Sequence, residues 1–186
     1  MQKISWMVCL LFCGSVYAQT KKVIREAGVR KEITLTYEKK EDKNTSKTLI
    51  TEYDTNGNIL SQEQYNSDSS LVSKEIFEYN KQDDIIRHKE YGKNNSLKKH
   101  TYYQFDNLGD LTEEFEYDEN GELKERTTLH YNGFGLKDEA RTYNTKGELK
   151  KRATYVYNNK NLLTERITYN AEGNVVSTKK VVYQYK

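Results

Sequence analysis

Tyr117-Asp118-Glu119-Asn120-Gly121-Glu122-Leu123 is the stretch that decides the fold. Asp118 carries a short side chain that bonds the backbone two residues on, which suits the first position of a tight turn. Gly121, three residues later, accepts a left-handed conformation at no steric cost. An aromatic residue ahead of such a turn and an aliphatic one behind it read as the end of one strand and the start of the next. The pattern recurs at Tyr53-Asp54-Thr55-Asn56-Gly57-Asn58-Ile59 and at Tyr143-Asn144-Thr145-Lys146-Gly147-Glu148-Leu149, and Phe105 to Leu111 and Tyr169 to Val175 keep it.

The copies are evenly placed. One aromatic series runs Tyr53, Tyr79, Phe105, Tyr131, Tyr157 and Tyr183, and a second runs Tyr65, Tyr91, Tyr117, Tyr143 and Tyr169, each in steps of 26 residues. Interleaved, they alternate spacings of 12 and 14, the signature of a tandem repeat. Where glycine is missing from the turn, Asp83, Asn95 and Asn161 replace it, and these residue types tolerate positive φ. Ser69 stands at the fourth such place without that tolerance. In Tyr131-Asn132-Gly133-Phe134-Gly135-Leu136 the aliphatic residue arrives one position early, which predicts an irregular turn or bulge. The absence of proline suits continuous ladders in which every N–H is used.

The spacing predicts an all-β fold: an antiparallel meander of about eleven strands built from 26-residue double hairpins. A β-solenoid with parallel 26-residue rungs is the alternative, and it would bring Tyr131 beside Tyr157. Every anchor aromatic is odd-numbered, so turns that conserve parity would set all of them on one face. The even positions would then form a hydrophilic face, with Glu116 opposite Lys124 and Glu114 opposite Arg126. Ile33 to Tyr37 reads as the opening strand, the charged run Glu38 to Lys47 as a long loop, and Val181 to Tyr185 as the closing edge strand.

Residues 1–18 have the form of a secretory signal peptide: Lys3, an apolar run from Ile4 to Phe12, and small residues leading to cleavage after Ala18. A lipidated Cys13 is the alternative, with Leu10 three residues before it but bulky Phe12 directly before it. Both cysteines lie in this segment, so the mature chain is expected to carry no disulfide and no thiolate metal site. Residues 19–32 read as a solvated basic arm and residues 33–186 as one repeat domain, with no transmembrane segment in the mature chain. Removing residues 1–18 takes away one lysine and no acid, so the formal net charge falls from +2 to +1. That balance lacks the basic excess of a nucleic-acid surface.

No motif points to a reaction. His88, His100 and His130 have even numbers, which places them exposed on the hydrophilic face of separate strands, away from any converging partner. Asp-x-Asn-Gly at Asp54 and Asp118 opens like a calcium loop but returns straight into a strand, so turn closure is the reading and no metal or other cofactor is expected. Neighbouring carboxylates such as Glu113 and Glu114 alternate faces and cannot act as one acid/base pair. The tyrosines remain: Tyr53, Tyr65, Tyr79, Tyr91, Tyr103, Tyr117, Tyr131, Tyr143, Tyr155, Tyr157, Tyr169 and Tyr183 form a candidate binding face. Rigid amphipathic rings give contact area at low entropic cost, and the competing reading is that they fill a thin core with their hydroxyls in water.

Tandem Tyr-Asp-x-x-Gly-x-Leu over about residues 33 to 185 resembles the YD repeats of Rhs-type surface and toxin-shell proteins, and more loosely the MORN-variant repeats of some bacterial antitoxin-type proteins. The residues predict an exported, non-catalytic interaction or structural module of the cell envelope, contacting protein or glycan through its tyrosines. The resemblance implies an alternative, an assembly or immunity partner of an exported Rhs-like toxin.

Overall fold

Each turn closes as its residues dictate. In the turn after Tyr117, Asp118 Oδ1 accepts hydrogen bonds from the backbone N–H groups of Asn120 (2.9 Å) and Glu122 (3.0 Å), while the Gly121 N–H donates to the Asp118 carbonyl at 3.1 Å. Gly121 sits at φ 80°, in the left-handed region. Asn144 and Asn158 repeat the arrangement with their amide oxygens. Asp83, Asn95 and Asn161 take φ of 66°, 59° and 60°, and Ser69 takes 62° although its side chain offers no special tolerance. Of the irregular turn or bulge expected after Tyr131, the turn is regular and the bulge is present, as it is after the other turns. Gly135 has φ 72° and donates to the Asn132 carbonyl at 2.9 Å as in the other turns, and the strand then opens on Lys137 in place of an aliphatic residue.

The computed structural model describes residues 21–40 and 43–184. The signal segment 1–18 lies outside the described residues. Twelve strands follow one another: β1 (Lys31–Lys40), β2 (Lys43–Tyr53), β3 (Ile59–Asn66), β4 (Leu71–Tyr79), β5 (Ile85–Tyr91), β6 (Leu97–Phe105), β7 (Leu111–Asp118), β8 (Leu123–Tyr131), β9 (Lys137–Tyr143), β10 (Leu149–Tyr157), β11 (Leu163–Asn170) and β12 (Val175–Lys180). Their order in the sheet is their order in sequence, with β1 and β12 as open edges, so the meander is the fold and the solenoid is not. Tyr131 and Tyr157 are kept apart by β9, which pairs antiparallel with both β8 and β10.

Two expectations about the ends fail. Within the run from Glu38 to Lys47, residues 38–40 and 43–47 are strand rather than loop, since Glu38 pairs with Thr45 and Lys40 with Lys43, and residues 41–42 lie outside the described residues. Among the described residues the last strand is β12, closing at Lys180, and the Val181 N–H continues its ladder to the Thr164 carbonyl at 2.8 Å; Tyr185 lies outside the described residues.

The register overturns the parity argument. After each turn the first residue of a strand faces the anchor aromatic, as Leu123 faces Tyr117, but the next pair skips one residue, so Glu116 faces Glu125 and Lys124 is left over. Thr112, Asp138, Lys150, Thr164 and Val176 are left over in the same way. Such a bulge removes one residue from the alternation. Each hairpin therefore exchanges the faces of odd and even residues. The expected pairs fail with it: Glu114 faces Thr127, Phe115 faces Arg126, Lys124 binds Asp118 at 2.7 Å, and Arg126 binds Glu113.

The chain divides into two compact units, Met1–Ile76 and Phe77–Lys186. In the first, the basic arm is not free: residues 21–26 form a helical turn, Arg30 Nη1 donates to the Asp54 carbonyl at 3.0 Å, and a Cβ added to Gly57 would meet the Lys21 carbonyl at 2.6 Å. The arm packs on the first turn of the repeat. In the second, Phe77, Thr101, Thr142 and Ala153 are buried at strand centres.

Candidate binding surface

The tyrosines do not share a face. Within the second unit, register puts Tyr79, Tyr103, Tyr131, Tyr155 and Tyr157 on one side and Tyr91, Tyr117, Tyr143 and Tyr169 on the other. Within the first, Tyr53 and Tyr65 likewise lie on opposite sides, Tyr53 donating to Glu32 at 2.9 Å and Tyr65 to Glu63 at 2.6 Å. Nor are all the hydroxyls wet. Tyr131 donates to the Leu111 carbonyl (2.9 Å), Tyr157 to the Lys137 carbonyl (2.8 Å) and Tyr183 to the Leu163 carbonyl (3.0 Å), each reaching 20 residues back. These three pin adjoining strands, and burial pushes the Tyr131 phenol up to about 12. These hydrogen bonds give the three tyrosines a structural part in the sheet.

The side carrying Tyr117 holds a hollow of about 440 Å³ between β4 and β7, lined by Glu78, Arg87, Tyr102, Gln104, Phe115 and Tyr117 among others. Its walls are aromatic. Tyr102 meets Tyr117 edge to face at 5.6 Å, His100 stacks on Tyr117 at 4.9 Å, and the Arg87 guanidinium lies 4.4 Å from the Tyr102 ring centre. Glu78 fixes one end by pairing with Arg87 at 3.1 Å and Lys89 at 3.2 Å. Burial, helped by Arg87 and Lys89, holds the His100 imidazole below its usual range. Of the tyrosines expected from sequence, Tyr117 lines this hollow with its ring, and Tyr103 borders it from a strand position whose side chain faces the other side. Tyr102 was hidden by its even number, and knowledge of the bulges is what would have revealed it.

The opposite side of the second unit is polar and more enclosed. Burial raises the Tyr103 phenol and the Glu114 carboxyl, and lowers the Lys137 ammonium. Lys99 ends above its usual range because Glu90 (3.0 Å) and Glu116 (3.2 Å) outweigh its desolvation. Tyr155 lies near two cations, Lys137 Nζ at 4.7 Å and the Arg166 guanidinium carbon at 5.7 Å from its ring centre.

The histidines differ from expectation as well. Only His130 is well exposed, bonded to Asp138 at 2.6 Å. His88 stacks on buried Phe77 at 4.6 Å, on the side opposite His100. The even-number rule failed for them because the bulges had already exchanged the faces. Among the described residues no three His, Cys, Asp or Glu side chains group as metal ligands, and no helix is long and apolar enough to cross a membrane.

No family model and no curated protein matches the chain. Among solved structures, it is similar to a porin-like protein from Bacteroides uniformis, with a TM-score of 0.47 and 12% identity over 82% of this chain and 56% of that one. The Tc holotoxin pore of Photorhabdus luminescens gives a TM-score of 0.39 and 11% identity over 73% of this chain and 9% of that one. A protein of unknown function from Bacteroides fragilis gives 0.24 and 12% over 83% and 96%. The chain thus spans about half the length of the first and a small part of the second. All three scores lie below 0.5 and say nothing of function.

Proposed function

We propose that this protein is an exported, non-catalytic binding module of the cell envelope that holds a saccharide in the hollow between β4 and β7. The observation that carries the reading is the ring pair Tyr102 and Tyr117 with Arg87, Glu78 and Gln104 beside it. Aromatic rings offer the apolar surface that the C–H groups of a sugar ring need, and carboxylate, amide and guanidinium groups bond its hydroxyls. His100 is engaged in ring contacts with Tyr102 and Tyr117, and among the described residues no carboxylate forms an ion pair with it as with a general base. The form of residues 1–18 supports export.

The test is a glycan array probed with the secreted chain, whose first residue should be Gln19 by mass spectrometry. Tyr102→Ala and Tyr117→Ala are expected to lower binding of any sugar found by tenfold or more, with the circular dichroism spectrum unchanged. Tyr143→Ala, on the same side but outside the hollow, should bind like the parent. An array with no binder, or a sugar that Tyr117→Ala binds as tightly as the parent, overturns the reading.

A further inference from the structure

The two open edges of the sheet are not alike. β12 is six residues long, its exposed valines Val175 and Val176 flank a bulge, and it ends on Lys179 and Lys180. Short length, a bulge and lysines are the features that keep a free edge from recruiting another strand. β1 has none of them along its middle. It runs ten residues and pairs with β2 from Lys31 to Lys40 without a break in register. From Ile33 to Tyr37 it carries no charge, and Lys31, just before this run, is drawn back to Glu52 of β2 at 3.6 Å.

The middle of β1 is also apolar and bare. Ile33, Leu35 and Tyr37 alternate along the strand, so they share one side of it, and they are 59%, 56% and 78% exposed. On the other side Glu32 accepts hydrogen bonds from the hydroxyls of Thr34 (3.1 Å) and Tyr53 (2.9 Å), so its carboxylate is satisfied from within the hairpin. Among the described residues no strand lies beyond β1 to meet its outer backbone groups. A long, flat, apolar strand in that position takes a further strand by backbone pairing.

The sequence of β1 suits its own copy. When two copies run antiparallel about Thr36, Leu35 of each stands opposite Tyr37 of the other, and Glu32 stands opposite Lys40 at both ends. Centring the pair on Leu35 instead would oppose Glu32 to Glu38 and Lys31 to Lys39, which like charges disfavour. Pairing of β1 with itself is two-fold symmetric and closes at two copies, whereas β1 on β12 would repeat without end.

We infer that β1 is a homodimer interface, through which two copies of this chain join antiparallel, each adding its first strand to the other's sheet. The inference is independent of the saccharide reading, whose residues lie on β4 to β7.

Sedimentation velocity of the mature chain, from micromolar to sub-millimolar concentration, should show monomer passing to dimer and no larger species. The double variant Leu35→Lys, Tyr37→Lys should stay monomeric at the highest concentration and keep the circular dichroism spectrum of the parent, because both side chains are exposed. Val175→Lys, on the other edge, should dimerise as the parent does. The cysteines of the chain lie at Cys9 and Cys13, so a thiol introduced into the mature chain reports on the register. Thr36→Cys should oxidise to a covalent dimer and Thr178→Cys should not. A parent that remains monomeric throughout overturns the inference, as does a dimer that survives the double lysine variant or is abolished by Val175→Lys.

Discussion

Residues 54–57, 118–121 and 144–147 share one chemistry, an Asx side chain that bonds two backbone N–H groups and a glycine at positive φ. The strand-centre pairs Thr51/Gln62, Tyr103/Glu114, Leu129/Ala140 and Tyr155/Arg166 occupy a single repeat position and share nothing but their register. The contrast separates two jobs. Turn geometry fixes where each strand begins and which partner it meets, and backbone pairing is indifferent to the side chains it carries. The centres are therefore free to differ, and the candidate binding surface lies among them.

The largest effect should come from the aromatic centre of this class that is deeply buried. Phe77 is 4% exposed and stacks on His88, so Phe77→Ala is expected to cost about 3 kcal/mol by loss of burial and creation of a cavity. A loss below about 1 kcal/mol in urea denaturation would show that even this centre is dispensable. Next comes the turn. Gly121→Val should cost about 1–2 kcal/mol, because a β-branched residue is strained at φ 80° even though open space surrounds the position.

Ser69→Gly should work in the opposite direction, stabilising the protein by about 0.5 kcal/mol, since Ser69 already bears the left-handed conformation at φ 62°. Asn161→Gly, at φ 60°, is expected to be neutral or slightly favourable because asparagine tolerates that region. If the two differ in sign from Gly121→Val, the turn rule stands; a destabilised Ser69→Gly would break it. The smallest effect concerns acidity. The His100 pKa is lowered in the folded state, by burial first, so the unfolded chain binds the proton more readily. Its contribution is complete above the unfolded value near 6.5 and is lost as pH falls below it. His100→Phe, which keeps a ring against Tyr117, should flatten the fall in melting temperature between pH 7 and pH 5.

The turns, the antiparallel order and the 26-residue period were legible because each rests on residue types with a backbone consequence: Asx at the first turn position, glycine or its substitutes at the fourth. The facing was not. The residues that the hairpins leave over include Leu60, Val72, Lys98, Thr112, Lys124, Asp138, Lys150, Thr164 and Val176, and no side-chain property unites them. A bulge of this kind arises from ladder geometry, so it leaves no mark in composition. That single omission misplaced His88, hid Tyr102 and spread one expected tyrosine face over two. Tyr117 still emerges at the candidate surface, whereas Arg87 became visible only once the Tyr102 ring was placed.

The left-over residue also sets the grammar by which such a sheet can grow. Because one hairpin exchanges the two sides, gaining or losing a single segment of 12 or 14 residues would turn every downstream side chain over, sending Tyr155 and Arg166 to the side of Tyr117. Two hairpins restore the original sense. The 26-residue step is thus the shortest word that can be duplicated or excised without scrambling the message beyond it.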